Sequence, residues 1–142
     1  MAKIERFEDI EAWQTARALT RLIYQLSSRG EFARDFGLRD QMRRAAISIM
    51  SNIAEGFESR SDKLFADFLG RARGSAGELR CQTYIAMDVE YINEDQAKEV
   101  FVLAEKCSRQ ISNFMWYLHN NPTHQFREDA AEYDTTLDDL TT

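Results

Sequence analysis

Two acidic residues, Glu55 and Glu78, stand among arginines and short polar side chains at helical spacing. Gln41, Arg44, Ser48, Asn52 and Glu55 step by three and four, so on a helix they form one polar stripe within roughly 80° of arc. Ser75, Glu78 and Gln82 form a second stripe of the same kind. A pair of carboxylates suits general acid–base work or a di-metal centre. A di-iron bundle needs Glu-x-x-His, however, and neither His119 nor His124 has a glutamate three residues earlier. No Ser-His-Asp or Cys-His constellation is legible, and the absence of a CxxC removes the usual metal-ligand spacing. The nearby arginines favour an ion-pair role instead. The two stripes are expected to face each other as a polar seam that fixes helix register, with Arg44 paired to Glu78 or Glu55 and with Ser48 and Asn52 meeting what remains. A ligand or partner pocket at the same place, or an enzyme site built on Glu55 and Glu78, is the alternative. No metal and no cofactor is expected.

Arginines supply the other chemistry. Arg17 and Arg21 are one turn apart, as are Arg39 and Arg43, while Arg73 and Arg80 are two turns apart. Clusters of this kind hold phosphates. The charge balance argues against that use. The net charge is −6, and residues 123–142 hold six acids against Arg127, which leaves residues 1–122 at −1. A basic footprint would have to come from an oligomer that gathers arginines from several copies.

The elements that must position these groups are helices. With six glycines and one proline in 142 residues, the chain lacks the turn material of an all-β fold. Helix 1 is expected over 9–27, with Trp13, Ala16, Leu19, Ile23 and Leu26 inward, and helix 2 over 38–55, with Met42, Ala45, Ala46, Ile49 and Ile53 inward and Gly56 as its left-handed C′ residue. Ser61 is the expected N-cap of helix 3, which runs to about Met87. Asn93 with Gln96 resembles a capping box at the start of helix 4, where Val100, Ala104, Cys107, Ile111, Phe114 and Leu118 keep coiled-coil spacing. The fold class is therefore all-α: an antiparallel up-down four-helix bundle over 1–122, followed by an acidic tail, 123–142, that is expected to be mobile.

Gly70, Gly74 and Gly77 lie inside helix 3, where each costs about 1 kcal/mol relative to alanine. Three together predict close helix packing, within or between protomers. They do not form a phosphate loop, since no strand precedes them and no GxGxxG or Walker pattern is present. Cys81 and Cys107 fall in helical patterns and are expected to be small buried hydrophobes. No apolar run of about 18 residues exists, and the first residues lack an apolar signal core, so a cytoplasmic protein with no membrane span is expected.

Several segments together resemble the 23S rRNA-intervening sequence proteins: FEDIEAW at Phe7–Trp13, Ile23-Tyr24, FGLRDQMRRAAISIMSNIAEGF at Phe36–Phe57, Phe68-Leu69, Gly74-Ser75 and Glu78-Leu79. The resemblance covers about residues 7–120. It implies an antiparallel four-helix bundle that assembles into a ring, typically a homopentamer. Some members are encoded within intervening sequences of ribosomal RNA genes. Similar bundles are accessory proteins of diversity-generating retroelements, whose basic surface engages nucleic acid and a reverse transcriptase. The resemblance implies no enzyme activity. This chain departs from the basic members in its pI of about 5.0. The leading expectation is a non-enzymatic, homo-oligomeric interaction or scaffold module with an unknown protein partner. A nucleic-acid adaptor using Arg17, Arg21, Arg39, Arg43, Arg73 and Arg80 comes second.

Overall fold

A computed structural model describes residues 3–122, and the tail expected at 123–142 lies outside them. Four helices account for most of this part: α1 Glu11–Ser27, α2 Phe36–Glu58, α3 Asp62–Asp88 and α4 Glu94–Asn120. Single 3-10 turns at Phe7–Asp9 and Phe32–Arg34 precede α1 and α2. No strand occurs among the described residues, and no helix there is long and apolar enough to cross a membrane.

Three of the four helix starts are fixed by side chains that accept backbone N–H groups left without intrahelical partners. Ser61 accepts from Leu64 N at 3.3 Å, as expected. Asn93 accepts from Gln96 N at 2.8 Å while the Gln96 side chain accepts from Asn93 N at 2.9 Å, which completes the capping box. Asp35, which the periodicity did not single out, caps α2 through Leu38 N at 3.1 Å. Its other carboxylate oxygen accepts the Tyr91 hydroxyl at 2.9 Å, and that bond holds the Tyr91 pKa above its ordinary value. The Tyr91 ring stacks on Phe32 with centroids 5.4 Å apart.

The helices pack in chain order, and the last closes onto the first. Neighbouring helices run antiparallel, as their contacts show. Arg43 reaches Ser27 where Thr20 reaches the carbonyl of Ala46. Tyr84 meets Phe101 where Arg73 meets Ser112. The Cys107 thiol sits 3.5 Å from the Ala12 carbonyl. The core is the expected one along α4, where Val100, Ala104, Cys107, Ile111 and Leu118 are buried, and Phe114 packs on the ring of Phe65 at 5.4 Å. Ala12 takes the inward place expected for Trp13, which lies half-buried with its ring edge-on to Phe7 at 5.2 Å.

Three further expectations, about glycines and cysteines, need correction. Gly56 is not a C′ residue: α2 continues to Glu58, and the left-handed position after it is taken by Arg60, with φ 56°. The glycine is needed inside the helix, because a Cβ there would lie 2.8 Å from the Phe65 ring and 2.9 Å from Phe68 Cβ. Cys81 is exposed rather than buried. It stands one turn beyond Gly77 and two beyond Gly74, on the outward side of α3. Cys107 is buried, and burial pushes its thiol pKa up to about 12. The third correction concerns the glycines of α3 and belongs with the site below.

Candidate functional site

The polar stripes of α2 and α3 do meet, because the two helices lie antiparallel and Gly56 lets them approach closely at one end. Midway, Ser75 donates its hydroxyl to Ser48 Oγ at 3.0 Å. Asn52 Nδ2 donates to the Ser48 carbonyl at 2.8 Å and to its Oγ at 2.9 Å. Further along, Gln82 Nε2 donates to Glu78 Oε1 at 3.1 Å and approaches Gln41 Oε1 at 3.5 Å. Gln82 is buried, and its own Oε1 has no partner among the described residues. Gln41, Ser48, Asn52, Ser75, Glu78 and Gln82 thus form the expected seam.

Arg44 and Glu55 do not join it. Both are exposed, and among the described residues neither makes a side-chain hydrogen bond or ion pair. Their positions fall further round α2 than Ser48 and Asn52, so both point to water, which solvates a charge better than a half-buried seam does. The expected pairing of Arg44 with Glu78 or Glu55 is therefore absent. The two carboxylates are also far apart. Ser48 opposite Ser75 and Gly56 opposite Phe65 and Phe68 place Glu78 about ten residues from Glu55 along the helices, or ~15 Å. Carboxylates that share one reacting bond sit within roughly 5–10 Å of each other. No group of three His, Cys, Asp or Glu among the described residues is arranged to hold a metal.

Gly70, Gly74 and Gly77 were expected to pack closely. Among the described residues they do not: a Cβ at any of the three would meet nothing within 4 Å. They line the outward side of α3 instead. Exposed Tyr84 and Ile85 lie at the end of this strip, 53% and 48% accessible, with Cys81 between them and Gly77 in sequence.

The six arginines fall on different faces. Arg39 donates to the Ala33 carbonyl at 2.9 Å and to Asp40 at 2.9 Å, with its guanidinium 4.7 Å from the Phe36 ring centroid. Arg43 donates to Ser27 and Ser28 and lies over Tyr24 at 4.5 Å. On the opposite flank, Arg73 reaches Ser112 at 3.4 Å and Arg80 stands 3.6 Å from Glu105. Four of the six thus cross-brace neighbouring elements. Arg17 and Arg21 have no acidic partner among the described residues. They share a groove on α1 with Arg6, Glu8, Trp13 and Gln14.

The caps, the seam and all of the bundle except the last turns of α4 fall within one continuous match, since residues 8–113 fit the family described as 23S rRNA-intervening sequence protein. The chain belongs to the 23S rRNA-intervening sequence protein family. A solved structure from Bacteroides thetaiotaomicron, described as a protein of unknown function from the S23 ribosomal protein family, superposes with a TM-score of 0.67 at 18% identity. The superposition covers 73% of this chain and 94% of that one, and it speaks for the fold. Among curated proteins none matches. Within this 23S rRNA-intervening sequence protein, periodicity could not reveal Gly56 as a packing residue. The signal was present as Phe65 and Phe68 just past a short connector, but their distance from Gly56 depends on how the chain turns at Arg60.

Proposed function

We propose that this protein is a non-enzymatic interaction module whose copies assemble into a ring, with the outward side of α3 as a contact surface. The observation that carries the reading is the open space around Gly70, Gly74 and Gly77. Each weakens its helix by about 1 kcal/mol relative to alanine, and nothing among the described residues uses the volume they free. A second protein surface would use it, because a helix face without side chains admits a neighbouring backbone. Tyr84 and Ile85 add exposed apolar area next to the strip. The seam between α2 and α3 then serves to hold that surface in register, since its hydroxyl and amide groups are largely occupied with one another. The nucleic-acid reading is weaker, because four of its six arginines already brace the bundle.

Light scattering after size exclusion tests this. The natural protein should elute at several times the 16.5 kDa of one chain, and Gly74→Leu should bring the mass down towards that value. A monomeric natural protein, or an assembly indifferent to Gly74→Leu, removes the reading.

A further inference from the structure

The outward face of α4 carries exposed side chains whose order matches that of the outward face of α3. Lys98, Val102, Lys106, Arg109 and Trp116 fall within roughly 80° of arc on α4. All five are exposed, Trp116 at 69%. The three cations make no ion pair among the described residues. An exposed tryptophan beside an arginine is the composition of a protein contact surface.

Contacts between α3 and α4 fix the heights of these residues. Tyr84 stands level with Phe101, Arg80 with Glu105 and Arg73 with Ser112. At 1.5 Å of rise per residue, Trp116 is then ~1.5 Å in height from Gly70, and Lys106 ~1.5 Å from Glu78. Arg109 is ~3 Å from Glu78, Val102 ~3 Å from Ile85 and Lys98 ~1.5 Å from Asp88. Glu78 and Asp88 are exposed and have no ion pair among the described residues. The two faces therefore offer opposite charges at Glu78 and Asp88, apolar groups at Ile85, and a large ring where Gly70 lacks a side chain. Asp95 and Glu90, which would repel each other, are level beyond the end of α3.

Within one chain both faces point away from the bundle and do not meet. A rotation about an axis along the helices leaves every height unchanged, so α4 of one copy meets α3 of the next in the same antiparallel register. The two helices hold adjacent corners of the bundle. Successive contacts then turn through an angle and close, as a head-to-tail ring requires. Pairing α3 with α1, at the opposite corner, would run on in a line. Pairing it with α2 matches Arg44 to Glu78 but sets Glu55 level with Asp67, since Ser48 is level with Ser75.

We propose that the outward face of α4 receives the outward face of α3 from a second copy. Trp116 covers Gly70, Lys106 and Arg109 flank Glu78, Val102 meets Ile85 and Lys98 meets Asp88. This rests on the ring assembly proposed above and names the surface that the neighbouring copy supplies.

Oxidative cross-linking of the full chain tests the pairing. Cys81 is ~3 Å in height from Val102, so Val102→Cys brings thiols of neighbouring copies into disulfide range, with Cα atoms about 4.4–6.8 Å apart. Treated with diamide, this variant should shift from the 16.5 kDa band to a ladder of linked copies on a non-reducing gel. Adding Cys81→Ala should return it to one band. Arg44→Cys, at the same height difference on α2, should stay a single band. Lys106→Glu/Arg109→Glu, which leaves the seam untouched, should weaken assembly about tenfold, and adding Glu78→Arg should restore it. If the natural protein assembles but Val102→Cys gives no ladder, or Arg44→Cys gives one instead, the pairing is overturned and the ring stands. Assembly indifferent to Lys106→Glu/Arg109→Glu overturns the pairing as well. A monomeric natural protein removes both readings.

Discussion

Gly56 and Gly74 both lie within helices, yet their surroundings are opposite. A Cβ at Gly56 would press on the Phe65 ring and on Phe68 Cβ, whereas one at Gly74 would enter empty space. The same residue type therefore does two jobs on the two sides of α3. At the α2–α3 corner it is a spacer that lets two helices touch, and its value is realised within the chain. On the outward side it is a cost that no neighbour among the described residues offsets. A helical glycine thus reports that something approaches, but not whether that something belongs to the same molecule.

The strongest way to break this contrast is to fill both positions. Gly56→Leu should destabilise the bundle by roughly 3 kcal/mol, at the upper end of overpacking costs, as read by urea unfolding. If it unfolds at the same urea concentration as the natural protein, the corner is looser than the distances imply.

Next in size is a difference between the two cysteines. The buried Cys107 thiol, raised to about 12 from an ordinary value near 9, keeps its proton in the folded chain longer than in the unfolded one. Its contribution is complete below pH 9 and is lost as pH climbs towards 12. Between pH 9 and 11 this amounts to roughly 2–3 kcal/mol. Cys107→Ala should flatten that part of the alkaline stability profile, while Cys81→Ala should leave it unchanged. Equal slopes in the two variants would place both thiols in similar surroundings.

A smaller effect is expected in the seam. Ser75→Ala removes the hydroxyl that Ser48 accepts and should cost about 1 kcal/mol; a loss above roughly 3 kcal/mol would mean that the seam carries far more than register. The smallest effect has the opposite sign. Gly74→Ala should stabilise the dissociated chain by about 1 kcal/mol through helix propensity alone, measured at concentrations low enough to separate the copies. Destabilisation there would show that the outward side is already packed.

Much of the fold was legible because it rests on local rules. Ser61 and Asn93 announce helix starts by chemistry that needs no knowledge of the rest of the chain, and the 4-3 spacing of α4 marks its buried stripe. The seam was legible for the same reason: Ser48, Asn52, Ser75 and Gln82 are polar residues at the margin of apolar stripes. What escaped was whatever depends on angle and distance between helices. Arg44 and Glu55 share a stripe with Ser48 on a helical wheel, but a few tens of degrees separate half-buried from solvated. Cys81 lies in a helix with a strong inward pattern, yet falls on its outward side. Asp35 was missed as a cap because α2 begins two residues earlier than its apolar period.

Asp35 has a further consequence. One of its oxygens holds the first turn of α2, and the other holds Tyr91 between α3 and α4, 56 residues away in sequence. Fraying of α2 at its start and loosening of the α3–α4 turn are thus the same opening event. Amide hydrogens at Leu38 and in the turn around Tyr91 should exchange with solvent together, and a chain with Asp35→Ala should lose that synchrony, each end breathing at its own rate.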